Sequence, residues 1–459
     1  MFSLTERYLF YFFLFAIPFQ TRKILWYEGW RFNEWTSVSV YFTDVLLVIL
    51  LLFWLYRSFF LSTPKLKMKN EKLKITVQNL KLYEYFLLIF IVISAISIKN
   101  SSNPAISWFQ WIKLVEFTAF YFYLSRYAFA KFGLVNSFFA ILIGGLFQAI
   151  IAIIQFLKQS SVGLQYLGES LINSDLAGIA SFYLPTGEKV IRAYGTLSHP
   201  NVLAGFLFLS LFGLYFIYLY SKLHSEHKPF ADRVDKFLIF SYSVILFAFF
   251  TTFSRVIIFI WFVSFCFRSA IVRMVKNYRI IFGTKEGRGR IKVILIASLA
   301  VIVLFSSLYF DEISSRSRLS SDDQAVELRA FYNSEVLKSN FNIFGAGIGN
   351  FVGWLMEKEP FLLQYQYQPV HNIYLLVYSE TGILGLAMFL LFLVFLIKDF
   401  ISKTRLKKSY HFSSLVLLGS FLFIGFFDHF FLTLQQGRLV FWTGLGVLTY
   451  LYSNGIMQR

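Results

Sequence analysis

The sequence predicts an all-α polytopic membrane protein of about 12 transmembrane helices, with a long extracytoplasmic loop holding short helices between the ninth and tenth. Three observations predict it. Of 459 residues, 57% are hydrophobic and 21% aromatic. Only 15% are charged, against about 25% in a soluble domain, and the mean hydropathy is +0.62. Apolar runs long enough to span a bilayer, roughly 17–25 residues, recur along the whole chain. No aqueous fold of this length hides so much apolar surface.

The runs fall near 5–21, 36–56, 82–98, 106–125, 134–157, 198–220, 237–253, 255–273, 291–309, 371–397, 411–431 and 438–454. The first is short, but Arg7 precedes it and Ile17-Pro18-Phe19-Gln20 offers no small-residue cleavage site, so it reads as a membrane helix and not a cleaved signal. The seventh and eighth are separated by hardly more than Ser254-Arg255. The stretch 57–81 resembles a solvated cytoplasmic linker, and no internal repeat or low-complexity tract is evident.

The net charge of +18 raises the question of nucleic acid. Most lysines and arginines, however, sit in short loops between apolar runs, which is the signature of topology, and nucleic-acid binding is not expected. With the N-terminus inside, 28 Lys and Arg lie on the inner side and 14 on the outer, and the dense clusters at Lys65–Lys74 and Arg273–Lys292 are all inner. The positive-inside rule then puts both termini in the cytoplasm. The single cysteine, Cys266, lies in an apolar run. It excludes an intrachain disulfide or a thiolate metal cluster and reads as a small buried hydrophobe.

Two long loops fall outside, at about 158–196 and 310–370. Loops of that length in a chain of tight connections are functional or disordered. In the second, Ser321-Asp322-Asp323-Gln324 resembles a capping box ahead of a helix from Ala325 to Lys338 with an apolar and a polar face, expected on the outer membrane surface. The run Gly345-Ala346-Gly347-Ile348-Gly349-Asn350 has backbone N–H groups able to cradle phosphate. It follows no predicted strand, so a turn is the favoured reading. The sequence thus divides into membrane helices and a first outer loop (1–190), a region holding the chemistry-bearing residues and the 310–370 loop (191–397), and C-terminal helices (398–459).

The candidate functional residues cluster at outer boundaries. His371, followed by Asn372, stands where the long loop enters the tenth apolar run. A neutral imidazole there can take a proton from a hydroxyl. Arg192 and Arg329 are both outer and close to membrane entry points, and a guanidinium fork matches phosphate oxygens. The competing reading is an ion pair with a loop acid such as Glu188 or Asp322. Arg255 sits between two apolar runs, where a charge is costly unless it meets a cavity or headgroups, or snorkels. Glu380 lies nine residues beyond His371, able to orient it or a sugar, or to satisfy a neighbouring polar group. Around His199, Ser198 and Asn201 read as cap and turn residues. Lys113 and Glu116, spaced i, i+3, are expected to pair, and Asp428-His429 is a weaker supporting candidate. No His-x-x-x-His, Cys-x-x-Cys or Gly-x-Ser-x-Gly motif occurs, and no metal site is indicated.

Three segments together resemble the O-antigen ligase and O-antigen polymerase superfamily of bacterial surface-polysaccharide enzymes. They are Arg192-Ala193-Tyr194-Gly195-Thr196 with Pro200-Asn201 and Gly205, then Glu327-Leu328-Arg329 through Gly345–Phe351, and finally His371-Asn372-Ile373-Tyr374-Leu375 with Glu380–Gly385. Thr252-Phe253-Ser254-Arg255 fits a Ser-Arg element found there. The match covers roughly 190–390, and one departure is Phe344 where many relatives carry proline. The resemblance implies a multi-pass glycosyltransferase of the cytoplasmic (inner) membrane with an extracytoplasmic active site. Its donor would be a glycan on undecaprenyl diphosphate, and its acceptor a glycan, a lipid A–core or a protein. His371 would be the base and Arg192 and Arg329 the diphosphate ligands, with Arg255 next in line. Asn372, Glu380 and Asn201 would support them. No cofactor is implied, because the diphosphate already activates the donor. A reading from another class stays open: a transporter or lipid-glycan flippase. Proteins of that kind show two related halves and midplane sites, which this sequence does not display.

Overall fold

The computed structural model describes residues 2–29, 32–60, 80–220, 228–274, 285–317, 324–404 and 409–455. The described chain is mainly helical. Six of its helical spans are long and apolar enough to cross a membrane: Leu82–Asn100, Leu134–Lys158, Pro200–Leu219, Asp232–Thr251, Gly287–Leu308 and Ile373–Thr404. Arg255–Cys266 and Tyr410–Ile424 are shorter apolar helices. The protein is a membrane-embedded helical one.

Two compact units interleave along the chain. The first comprises Met1–Thr21, Phe129–Leu319 and Leu406–Ser420, and the second Arg22–Ala128, Ser320–Arg405 and Phe421–Arg459.

In the first unit, Pro200 opens the Pro200–Tyr220 helix, where its missing N–H costs nothing. That helix is apolar all round, as a fully surrounded helix should be, and 94% of its spanning window is buried. Small residues let helices close on one another. A Cβ at Gly145 would lie 2.5 Å from Ser210 Oγ, and one at Gly144 would lie 2.8 Å from the Phe15 carbonyl oxygen. Inside the first long loop, Ser181–Tyr183 and Lys189–Ile191 form an antiparallel hairpin with Phe182 opposite Val190. Cys266 is exposed, which corrects the expectation of burial. It shares an outward face with Phe259 and Phe262. On a membrane helix the apolar face need not point into the protein, because hydrocarbon can solvate it.

In the second unit, Arg22–Tyr27 and Ser37–Tyr41 pair antiparallel, with Arg22 opposite Tyr41. Arg22 also reaches Glu34 through a 2.7 Å Nη2–Oε2 contact. The apolar run expected at 36–56 therefore begins as a strand, and its helix covers Phe42–Phe60. The run expected at 411–431 likewise stops at Ile424 and continues as a turn.

The long outer loop has its own helices, Gln324–Lys338 and Phe351–Lys358. Tyr332, Val336, Phe351, Val352, Leu355, Tyr367, Val370 and Leu376 form a buried core beneath them. The Gln324–Lys338 helix thus buries one face against protein. The capping box expected at Ser321–Asp323 lies outside the described residues.

The Ile373–Thr404 helix breaks at Gly382 (φ 69°, ψ −173°). The break leaves the Ser379 and Glu380 carbonyls without helical partners. Ala346 and Gly347 supply N–H groups to them at 2.8 and 2.9 Å. A Cβ at Gly382 would lie 2.2 Å from the Ile343 carbonyl oxygen, so only glycine permits this approach. The Gly345–Asn350 run is a docked turn.

Candidate functional site

In the second unit, Asn372 caps the Ile373–Thr404 helix. Its Oδ1 accepts from the Tyr374 and Leu375 N–H groups at 2.9 and 3.1 Å. The Ile373 N–H goes to the Gly425 carbonyl at 2.8 Å. His371 is thereby fixed directly before the capping residue, two positions ahead of the first helical residue. Its ring lies parallel to that of Tyr332, at 5.8 Å and 8°. It stands edge-on to the ring of His429, at 4.7 Å and 76°.

His429 is buried and packs at right angles to Trp35, with centroids 5.1 Å apart. Its Nδ1 is 2.7 Å from Thr433 Oγ1, and that hydroxyl donates to the His429 carbonyl at 3.1 Å. A hydroxyl has one proton. Once that proton is committed to the carbonyl, the oxygen can only accept from an Nδ1–H. The network therefore assigns His429 the tautomer with a bare Nε2.

Arg329 precedes Tyr332 by one helical turn, and its charge acts on His429. The Arg329 Nε is buried with no hydrogen-bond partner among the described residues. The Tyr332 hydroxyl donates to the Gln366 carbonyl. Burial raises its pKa above the ordinary phenol value, so it stays neutral at physiological pH. Arg329 and His371, 42 positions apart in the sequence, thus belong to one cluster with Tyr332 and His429.

Glu380 has a different setting. Its carboxylate accepts from the backbone N–H groups of Gly349 and Phe351, and it interacts with the charge of Arg438. An internal carboxylate therefore takes up N–H groups of the glycine run that a phosphate would need. Arg438 donates to the Leu432 carbonyl and to Gln110 Oε1, both at 2.6 Å.

Deeper in the same unit, the expected Lys113–Glu116 pair is present at 2.9 Å, and Asp44 joins it at 2.5 Å from Lys113 Nζ. A cavity of about 110 Å³ runs between these groups and the histidine cluster. Trp35 and Thr433, which both touch His429, line one end. Lys113, Gln435 and Arg438 line the rest, with Phe109, Phe117 and Trp442.

The first unit holds Arg192, Asn201 and Arg255. Gln148 and Gln155, seven residues apart on the Leu134–Lys158 helix, grip the segment after Arg192. Gln148 bonds the Thr196 N–H and hydroxyl at 2.8 Å. Gln155 Oε1 accepts from the Tyr194 and Gly195 N–H groups at 3.1 and 2.8 Å. Arg192 is buried, at 5% exposure. Its Nε donates to the Thr252 carbonyl at 2.7 Å and its Nη2 to Asn201 Oδ1 at 2.6 Å. Ser254 Oγ donates to the same Asn201 oxygen at 3.0 Å. Phe253, in the turn between them, has φ 44°, a left-handed conformation a bulky residue rarely adopts. Its ring is packed against Phe156, Phe182 and Phe305, which holds it there. Arg255 begins the next helix directly after this turn. His199 Nδ1 accepts from the Asn201 N–H at 3.1 Å, a turn contact as the sequence suggested.

Among the sequence-predicted residues, Arg329 and His371 thus come together in the second unit with Glu380 in a separate setting, and Arg192 and Asn201 come together in the first. Tyr332, Trp35 and Thr433 were not singled out from sequence. Tyr332 carried a signal, since it follows Arg329 by three residues on one helix face. Trp35 carried none, because long-range folding alone brings it to His429, whereas Thr433 lies only four residues beyond His429. Among the described residues, no three His, Cys, Asp or Glu side chains gather to hold a metal ion. No family model matches the chain, and no curated protein matches it.

Proposed function

We propose that the protein is a membrane glycosyltransferase moving a glycan from undecaprenyl diphosphate to an acceptor hydroxyl on the outer face of the cytoplasmic membrane. The motif resemblance suggests it, and the observation that carries it is the cluster of His371, His429, Tyr332 and Arg329. A base must be held by a partner that fixes its tautomer, with a cation nearby for a departing anion.

In the proposed reaction the acceptor O–H gives its proton to His371 while its oxygen bonds to the anomeric carbon. The bond from that carbon to the diphosphate oxygen breaks, and the electron pair leaves with diphosphate. Arg329 neutralises the developing charge. His429, edge-on to His371 with ring centroids 4.7 Å apart, orients the imidazole of His371 in this reading. Arg192 and Arg255, which the sequence pattern alone offers as further diphosphate ligands, lie in the first unit, where Arg192 holds Thr252 and Asn201 and serves as scaffold in this reading. Both chain termini are then cytoplasmic, and the spans number 12, following the charge pattern.

The test is surface polysaccharide from a deletion strain complemented with His371→Ala. Normal glycan from a well-expressed variant would end the assignment of His371. In the deletion strain, lost attachment to the lipid core means a ligase, single repeat units on the core mean a polymerase, and lost glycoprotein bands mean a protein acceptor. Purified protein that translocates lipid-linked glycan but never joins it would instead make this a flippase.

A further inference from the structure

One wall of the cavity in the second unit is a row of hydroxyls. The strand Ser37–Tyr41 alternates, with Ser37, Ser39 and Tyr41 on its buried face and Val38 and Val40 on the other. All three residues of the buried face line the cavity. Ser37 donates to the Glu34 carbonyl at 2.9 Å, and the Tyr41 hydroxyl accepts from Arg22 Nη1 at 3.0 Å. Ser39 Oγ, on a residue 3% exposed, has no hydrogen-bond partner among the described residues.

The same cavity is lined by Gln435, 2% exposed. Its amide nitrogen donates to the Asp44 carboxylate and to Thr43 Oγ1. An ionised carboxylate only accepts, so the amide cannot be turned round. Its Oε1 is then the end left without a partner among the described residues. A buried polar atom left unmet is costly.

These two atoms choose among ligand classes. An oxyanion only accepts and cannot serve the Gln435 oxygen. A cation would meet Lys113 and Arg438, which line the cavity and already lie over the faces of Phe109 and Phe117. A neutral O–H donates and accepts, and so serves both Gln435 and Ser39. Between the polar groups the lining is apolar, with Leu87, Phe90, Val352 and Trp442. A sugar ring carries that combination, hydroxyls at its rim and C–H groups on its faces. A space of about 110 Å³ holds several waters, or one ring in their place.

We propose that this cavity binds a neutral sugar ring through Ser39 and Gln435. Both residues lie outside the 190–390 segment that carries the motif resemblance, so the site stands on its own geometry. The cavity also reaches Trp35 and Thr433, which touch His429. What the ring belongs to rests on the transferase reading: it is the glycan unit seated beside the base. Two sources carry that chemistry, the glycan of the donor and the glycan of the acceptor.

The test uses the full-length protein in phosphatidylcholine nanodiscs, read by saturation-transfer NMR. The probes are free glucose, galactose, rhamnose and N-acetylglucosamine. At least one should bind saturably, with no such signal from empty nanodiscs. Glucosamine and glucuronic acid, rings that carry a charge, should bind about tenfold more weakly than the best neutral sugar, or worse. Gln435→Leu should weaken binding about three- to tenfold, the worth of one hydrogen bond. Ser39→Ala should weaken it about threefold, and it leaves the Asp44 contacts alone, which covers a Gln435→Leu protein that fails to fold. Purified lipid-diphosphate donor should displace the free sugar if the cavity takes a donor unit, and leave it bound if it takes an acceptor unit. Saturable binding by none of the four sugars, a cavity of water only, overturns the proposal. So does equal binding of the charged rings, or a well-folded variant of either kind that binds like the parent. Glycan transfer by a protein that binds none of the sugars removes this site and keeps the transferase, whereas sugar binding without transfer does the reverse.

Discussion

Arg192 and Arg329 read alike in sequence, each an outer arginine near an apolar run, yet their surroundings differ. Arg192 is buried in the first unit and donates to the Thr252 carbonyl and the Asn201 amide oxygen, with a strained turn following Thr252 and two glutamines gripping the segment after Arg192. Arg329 is half-buried on a loop helix in the second, with an Nε that has no partner among the described residues and two histidines nearby. A guanidinium satisfied by neutral acceptors keeps its full charge and a fixed direction, but has fewer donors left for a ligand. One with donors to spare is poorer scaffold and the better ligand grip. The two arginines should therefore fail differently when altered.

The largest effect belongs to His371. In the transferase reading, a general base contributes about 10²- to 10⁴-fold. His371→Ala should lower transfer from a purified lipid-diphosphate donor by that order while leaving donor binding near the parent value. The comparison itself is broken or sharpened by a pair of lysine substitutions. Arg329→Lys should lower donor affinity and turnover roughly ten- to a hundredfold, the worth of a charge-assisted contact, without moving the thermal unfolding midpoint. Arg192→Lys loses the fork that joins Thr252 to Asn201. Each buried acceptor left unpaired costs about 1–3 kcal/mol, so its unfolding midpoint should fall clearly. If Arg192→Lys is as stable as the parent and Arg329→Lys is the one that unfolds early, the assignment of scaffold and grip is reversed.

What could be read from the sequence follows how local the cause is. His371 stands out because the Asn372 cap and the apolar run beside it are all within a few residues. The Lys113–Glu116 pair is legible for the same reason, one helical turn apart, but Asp44 as its third member is not, lying about seventy positions away. The period-2 pattern of Ser37-Val38-Ser39-Val40-Tyr41 was present in the sequence. It stands at the head of an apolar run that continues into the following helix, and its partner strand Arg22–Tyr27 has no comparable alternation. For Glu380, nine residues beyond His371 and within the helix, the sequence leaves open whether it orients His371, orients a sugar or satisfies a neighbouring polar group. The break at Gly382 that turns its surroundings toward the glycine run depends on a docking loop thirty-odd residues earlier. The tight turn before Arg255 is legible in the sequence, but the left-handed conformation of Phe253 and the two glutamines behind Gly195 are not, since both depend on packing between distant helices.

A smaller effect tests the histidine pair. Thr433→Val keeps the shape and removes the hydroxyl that fixes the His429 tautomer. Turnover should fall about tenfold with KM unchanged, as expected when a base is only partly misaligned. The pH–rate profile should shift, because the His429 ring beside His371 would no longer be held in one tautomer. A purely structural Thr433 would change stability and leave that profile where it was.

The smallest effect is expected at Asn372, and it separates positioning from chemistry. Its side chain caps the Ile373–Thr404 helix through the Tyr374 and Leu375 N–H groups. Removing such a cap costs about 1 kcal/mol. Asn372→Ala should lower the unfolding midpoint slightly and turnover a few-fold, through loosening of the residue that carries His371. Asn372→Asp and Asn372→Ser can both make the capping bond, and both should recover most of the lost activity, although they differ in charge and size. If Asn372→Asp and Asn372→Ser recover stability but not turnover, the amide itself meets the substrate. The donor-side contact would then extend from Arg329 across His371 to the helix start.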